Sequence, residues 1–277
     1  MTAGHVTNGQ GRFIRIEDPD DPRVAGYRAV KERDLVGREG AFVAEGVVVL
    51  EKLFAAGRHS LSSVLIAEQR AAALAPLLAA APAETPIYVA GQAVMDALTG
   101  FHIHRGVLAL GRRAPEPDAA ELLRSLPEPA LVVVMVGLSN HDNVGGVFRN
   151  AAAFGAGAVL LDAGCCDPLY RKAIRVSVGA ALTTPFVRLE PGTDVVGLVE
   201  AAGYTPVALS PAGVVTLSDL PRPVRVAVLL GAEGPGLPPQ ILARAQGVRI
   251  PMAAGFDSLN VAVASGVVLH HLAALTA

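Results

Sequence analysis

The stretch DNVGGVFRNAAAFGA, Asp142 to Ala156, lies between two apolar runs, LVVVMVGL (131–138) and GAVLLD (157–162). An apolar strand, a turn into a helix and a second apolar strand form the βαβ pattern of a parallel sheet covered on both faces. A structural turn needs a helix cap and at most one glycine or so. Here the turn carries Asn143, Gly145, Gly146, Arg149 and Asn150 on a helix otherwise built of Ala, Val and Phe. Arg149 is the residue that a purely structural helix would not require.

Working outward, the alternation continues to the end of the chain. TPFVRL, YTPVALS, VRVAVLLG and VRIPM read as strands. DVVGLVEAAG, PPQILARAQG and LNVAVASGVVLHHLAAL read as the helices between and after them. Glycine-rich turns follow three of these strands. They are Asn143–Asn150, the segment LLGAEGPGLP (229–238) and the segment RIPMAAGFDSLNVAVASG (249–266). In open α/β sheets, ligands bind beyond the carboxyl ends of strands. The first turn lacks the G-x-G-x-x-G of a dinucleotide fold, and no Gly-Lys-Ser/Thr follows as in a phosphate loop. In the second turn Glu233 sits among residues without side-chain bulk. In the third, Ser258 is expected to cap the last helix and Asn260 to fall in its first turn.

Before residue 130 the pattern is a shorter α/β alternation. Residues 1–11 read as a flexible tail. Residues 12–113 are expected to form a small domain. It opens with an amphipathic helix in DPRVAGYRAVKERDLVGREG, started near Pro22 and ended by Gly37. AFVAEG, SSVLIAE, PIYVA and VLALGRR follow as strands, with helices between them. Residues 114–129, APEPDAAELLRSLPEP with prolines at both ends and a short helical middle, are expected to be a linker, and 130–277 the second domain.

The chain of 277 residues is 52% hydrophobic and 17% charged, which suits a substantial core and excludes global disorder. No apolar run is long enough to span a bilayer, and the N-terminus lacks the order of a signal peptide. The only cysteines, Cys165 and Cys166, are adjacent and unsuited to a disulfide with each other, so a cytoplasmic setting is expected. His102, His104, His270 and His271 have no acidic or thiol partners at ligand spacing, so no metal is expected. Net charge is −2, and neither part is strongly basic in bulk: 13 basic against 12 acidic residues up to 113, then 10 against 13. A local positive face is still compatible with such averages.

Taken together, N-x-G-G-x-x-R-N, then G-A-E-G-x-G-L, then I-P-M-x-x-G-x-x-S-L-N-V-A-V-A resemble the three ordered motifs of the SpoU/TrmH-type RNA 2′-O-ribose methyltransferases of the SPOUT superfamily. Arg175-Val-Ser-Val-Gly-Ala180 resembles the R-x-S-x-G-A stretch between the first two. FVAEGVVVLEKLFAAG and HRGVLAL resemble the small α/β substrate-binding domain that often precedes the catalytic one. The resemblance implies a parallel sheet with a deep trefoil knot, which periodicity does not reveal. It implies S-adenosyl-L-methionine, held by Leu209, Gly231, Ala232, Gly234, Ile250, Met252 and Leu259. It implies methyl transfer to a ribose 2′-hydroxyl of ribosomal or transfer RNA, ribosomal RNA being favoured by the separate first domain, and a homodimer.

In that setting Arg149 is the catalytic residue, as an unusual base or as an anchor for a phosphate or nascent alkoxide. Because arginine stays protonated in proteins, the anchor is favoured. Asn143, Glu233, Ser258 and Asn260 would orient Arg149 and the ribose, with Asn150 in support. Candidate phosphate contacts are Arg12, Arg15, Lys31, Arg33, Arg38 and Arg105 in the first domain, and Arg171, Lys172 and Arg175 in the second. Aromatics make up only 4% of the chain, so recognition by shape or of one splayed nucleotide is expected rather than a broad stacking platform. The alternatives are a catalytically inactive RNA-binding protein of the same fold and a nucleotide-dependent oxidoreductase.

Overall fold

The computed structural model describes residues 12–28, 40–100, 105–256 and 258–273. The chain divides into two compact units between Ala114 and Pro115. The expected tail at 1–11 lies outside the described residues.

The first unit is built on a five-stranded sheet of order β1-β4-β3-β5-β2. Its strands are β1 (Phe13–Ile16), β2 (Ala41–Glu45), β3 (Ser60–Ala67), β4 (Ile87–Ala90) and β5 (Val107–Arg112). β5 runs antiparallel to both neighbours, and the other recorded pairings are parallel. Helices α1 (Val47–Ala56), α2 (Ala71–Ala79) and α3 (Gln92–Thr99) connect the strands. The expected opening helix is corrected in its described part. Pro22–Tyr27 is a 3-10 turn, and Arg28 is already extended (φ −61°, ψ 156°). Tertiary contacts override the helical pattern there. Tyr27 is buried with its hydroxyl 2.7 Å from Ser63 Oγ, and a Cβ on Gly26 would press on Leu110.

The second unit carries a seven-stranded sheet of order β10-β12-β9-β11-β6-β7-β8, parallel at every pairing. The strands are β6 (Ala130–Val136), β7 (Ala158–Leu161), β8 (Phe186–Arg188), β9 (Thr205–Leu209), β10 (Val215–Thr216), β11 (Arg225–Gly231) and β12 (Gln246–Arg249). The expected strand VRIPM is shifted: β12 starts two residues earlier and stops before Ile250, which frees Ile250 for the loop. β12 lies between β9 and β10, an order consistent with the knotted threading that the family resemblance implies.

The stretch 114–129, expected as a linker with a short helical middle, forms that helix and docks it on the second unit. It contains α4 (Ala119–Ser125), capped by Asp118, whose Oδ1 accepts from Glu121 N at 2.9 Å. Leu123 is fully buried in the core of the second unit, with β6 and α8 (Val195–Ala201). Arg225 fastens this segment. Its guanidinium donates to Leu123 O at 2.6 Å and stacks 4.5 Å over the Tyr204 ring. The prolines that suggested a linker bracket a docked helix.

The helix quoted at the outset is α5 (His141–Ala153). It is gripped between α6 (Arg171–Val176) and α10 (Val261–Leu272), and its two glycines serve one neighbour each. A Cβ on Gly145 would meet Ala173 O at 2.8 Å, and one on Gly146 would meet Ala262 Cβ at 2.6 Å. Asn150 locks the same pair of helices, its Nδ2 donating to Ala262 O at 2.6 Å and Ser265 Oγ at 2.9 Å. The segment after α6 is strained. Val178 lies at φ 52°, a region costly for a β-branched residue, and Gly179 follows at φ 79°. Ser177 supports the turn by accepting from Ala181 N at the start of α7 (Ala180–Thr183). The remaining short helix, α9 (Pro239–Leu242), follows β11.

Candidate active site

A cleft of about 480 Å³ opens at the carboxyl ends of β9, β11 and β12. Its apolar walls include Leu209, Ile250, Met252 and Leu259, and backbone of Gly231, Ala232 and Gly234 forms much of the rest. Every residue that the resemblance assigned to the cofactor thus borders one cavity. Its size and its small number of polar groups are those of a small-molecule site.

The glycines have separate geometric reasons. Gly234 (φ 86°) and Gly236 (φ 71°) occupy the left-handed region. Gly236 N donates back to Ala232 O at 3.0 Å, closing a tight turn. A Cβ on Gly231 would run into the backbone of Gly236 and Leu237. The turn therefore presents main chain, not side chains, to the cleft. Gly236, Ser210 and Ala264 also line the cavity and were not singled out in the sequence. The repeated glycines of GAEGPG signalled the first of these, whereas nothing in the local pattern marked the other two.

At the mouth of the cleft the polar residues converge on Asn260. Its Nδ2 donates to Asn143 Oδ1 at 2.8 Å and to Glu233 Oε1 at 3.0 Å. Its Oδ1 accepts from Ala262 N at 2.9 Å and Val263 N at 3.3 Å. The expectation that Ser258 caps the last helix is corrected, because Asn260 is the N-cap of α10 (φ −50°, ψ 136°). The amide can do both jobs because it carries an acceptor and two donors, whereas a serine hydroxyl has one donor. Asn143 is buried on α5, and its carbonyl is satisfied by this bond. Glu233 and Asn260 are exposed at the cleft rim, and Ser258 lines the same rim.

Arg149 is also exposed, two turns along α5 from Asn143. It does not border the cleft, and among the described residues no recorded hydrogen bond or ion pair engages it. Its charge is available to an outside anion. The structure thus joins Asn143, Glu233 and Asn260 directly, adds Ser258 through the cleft, and leaves Arg149 outside the cluster, further along the helix that carries Asn143.

The candidate phosphate contacts separate into three sets. Arg12 is corrected: it donates to the carbonyls of Thr85, Leu78 and Ala81 at 3.2, 3.2 and 2.9 Å, closing the end of α2. Arg15 pairs with Glu68 at 2.7 Å and Glu17 at 3.1 Å, and Lys172 pairs with Asp142 at 2.6 Å. Arg105 and Arg175 are exposed, and Arg171 is half-buried. Lys31, Arg33 and Arg38 lie outside the described residues.

The two cysteines pack. Cys165 Sγ lies 3.3 Å from Leu138 N, and burial pushes its thiol up to about 12 and that of Cys166 up to about 11. Among the described residues no group of three or more His, Cys, Asp or Glu is placed to hold a metal ion. No described helix is long and apolar enough to cross a membrane.

Residues 130–270 match the model of the SpoU rRNA methylase family. The chain is 38% identical over 264 residues to a Mycobacterium tuberculosis H37Rv protein named uncharacterized tRNA/rRNA methyltransferase, covering 91% of this chain and 89% of that one. A crystal structure of an RNA 2′-O ribose methyltransferase superposes with a TM-score of 0.75 at 28% identity, over 94% of this chain and 98% of that one. An AdoMet-bound rRNA methyltransferase from Sinorhizobium meliloti shares the fold, with a TM-score of 0.81 at 24% identity over 95% and 98% of the two chains.

Proposed function

The chain belongs to the SpoU rRNA methylase family, and from that premise we propose that it is an S-adenosylmethionine-dependent RNA methyltransferase acting on a ribose 2′-hydroxyl. The observation that carries this reading is the Asn260 amide, which ties Asn143 to Glu233 at the rim of a glycine-walled cleft. Names borne by the relatives, tRNA/rRNA methyltransferase and RNA 2′-O ribose methyltransferase, support it.

The residues present fit the cofactor. Leu209, Ile250 and Leu259 offer apolar walls to an adenine, and the loop around Gly231–Gly234 offers backbone groups in place of charged side chains. When bound, S-adenosylmethionine supplies an electrophilic methyl group. The chain's own work is to position a weak nucleophile and stabilise its oxyanion. Asn260 holds the Glu233 carboxylate and the Asn143 amide in a fixed relation, orienting groups around the ribose. Arg149 stays protonated and acts through charge, gripping a phosphate or the developing 2′-alkoxide. Leu259, Val263 and Val267 leave an exposed apolar strip along the start of α10, the face through which a homodimer would form. The place of action is the cytoplasm.

The test is to incubate the purified protein with S-adenosylmethionine and unmodified ribosomal and transfer RNA in separate pools, then look for 2′-O-methyl nucleosides by mass spectrometry. Ribosomal RNA is the expected acceptor. A methylated base instead of a methylated ribose would overturn the ribose mechanism. Cofactor binding without any product would favour the inactive RNA-binding alternative. Light scattering in solution tests the dimer.

A further inference from the structure

His141 and Tyr170 stack on one another outside the cleft, with ring centroids 4.0 Å apart and planes inclined by 29°. Four tyrosines occur in the chain. Tyr27, Tyr88 and Tyr204 are buried, and Tyr170 alone keeps part of its surface in solvent. His141 is likewise half-buried. A half-buried ring pair that still reaches solvent is conspicuous in a chain with no tryptophan.

The position is as informative as the exposure. His141 is the first residue of α5, the helix that carries Asn143 and Arg149, so the ring lies about 12 Å along the axis from Arg149. Tyr170 precedes α6, whose Arg171, Lys172 and Arg175 follow it directly. The Lys172–Asp142 ion pair joins the first turns of the two helices at 2.6 Å. The supporting loops are held as well. Cys166 N donates to Leu138 O at 2.9 Å, and Arg188 pairs with Asp167 at 3.1 Å. The ring pair is therefore fastened, with the carboxylates of Asp142 and Asp167 paired to Lys172 and Arg188 and the exposed Arg175 further along α6. Burial, reinforced by Lys172, holds the His141 imidazole below its usual range, which favours a neutral ring at neutral pH.

We propose that the His141–Tyr170 pair is a stacking ledge for one unpaired nucleobase of the RNA, adjacent to the nucleotide that is methylated. The assignment rests on the RNA methyltransferase reading. Base–aromatic stacking is tolerant of sequence because every base has a π face. Such a ledge selects a splayed single strand over a duplex, whose bases are stacked on each other.

The probe is a fluorescein-labelled 12-nucleotide single-stranded RNA of mixed sequence, compared by anisotropy with an abasic strand of the same length. The full-length wild-type protein should bind the base-bearing strand more tightly. Tyr170→Ala should weaken that binding by roughly tenfold and remove the preference, leaving the abasic strand unaffected. Tyr170→Phe should retain it. Tyr170→Leu keeps apolar bulk against α5 and should lose the preference as Ala does, which separates stacking from helix packing. Equal affinity of wild type and Tyr170→Leu for the base-bearing strand would overturn the ledge alone. Failure of the wild type to bind either strand at low salt would overturn the RNA reading and the ledge with it.

Discussion

The start of the first unit and the cleft rim of the second handle their polar side chains in different ways. In the first, arginines turn inward onto the unit's own groups. Arg12 closes the end of α2 through three carbonyls, and Arg15 is spent on Glu68 and Glu17. In the second, Asn143, Glu233 and Asn260 meet at the rim of a cleft, and Arg149 has no partner among the described residues. Residue type therefore does not distinguish a structural arginine from a functional one. What distinguishes them is whether backbone acceptors lie within reach. Arg12 lies beside the exposed carbonyls of a helix end, whereas Arg149 sits on a solvent face of α5 where main-chain acceptors are already used by the helix.

The largest expected effect concerns that contrast. Arg149→Ala should lower methyl transfer by at least about 100-fold, in the range for removing a group that stabilises developing charge. S-adenosylmethionine binding, measured by calorimetry, should persist, because Arg149 does not line the cleft. Retained turnover would sink the role assigned to it and erase the contrast with Arg12.

Next come tests of how each unit is held together. Leu123→Ala should destabilise the second unit by about 3 kcal/mol in a denaturant titration, as expected for truncating a buried leucine. A change near zero would return residues 114–129 to the status of a linker. Acid should strike the first unit. His59 is buried, its Nε2 has no hydrogen-bond partner among the described residues, and burial aided by Arg58 and Arg113 holds its imidazole at about 4. Its ordinary value in an unfolded chain is about 6.5. Between these values the unfolded chain binds the extra proton, so stability is complete above about pH 6.5 and falls towards pH 4. The full loss is on the order of 3 kcal/mol. Melting followed from pH 7 to pH 4 should show it, and His59→Leu should flatten the profile.

The smallest effect tests the other end of the comparison. Arg15→Ala removes an exposed, solvent-screened pairing with Glu68 and should leave the denaturation midpoint almost unchanged. A measurable loss of RNA affinity in that variant would show that the pairing opens to admit phosphate, and that the first unit is less self-satisfied than its geometry suggests.

Much of the second unit was legible before any coordinates. The Val- and Leu-rich runs between glycine-bearing turns announce buried parallel strands, because strands buried on both faces need no alternation. The residues assigned to the cofactor line one cavity, whereas Asn143 and Arg149 of the first motif do not. Local pattern failed where tertiary contacts overrule it. Pro22–Tyr27 carries a helical pattern, but burial of Tyr27 and the close approach of Gly26 to Leu110 leave only a 3-10 turn. The short helix within 114–129 was legible, but its docking was not, because Arg225, which fastens it at Leu123, lies a hundred residues away.

The sequence by itself determined the strands, the positions where only glycine fits, and the chemical types available at the turns. These depend on neighbours a few residues apart, through side-chain period and backbone sterics. Tertiary structure alone decided which polar groups meet. Asn260 reaches Asn143 across 117 positions and Glu233 across 27, because the sheet order sets β11 next to β6, whose end leads into α5, and the chain after β12 returns to that edge. The same placement made Asn260, not Ser258, the cap of α10. A hydrogen bond is decided by distances of a fraction of an ångström, and only the folded chain sets those.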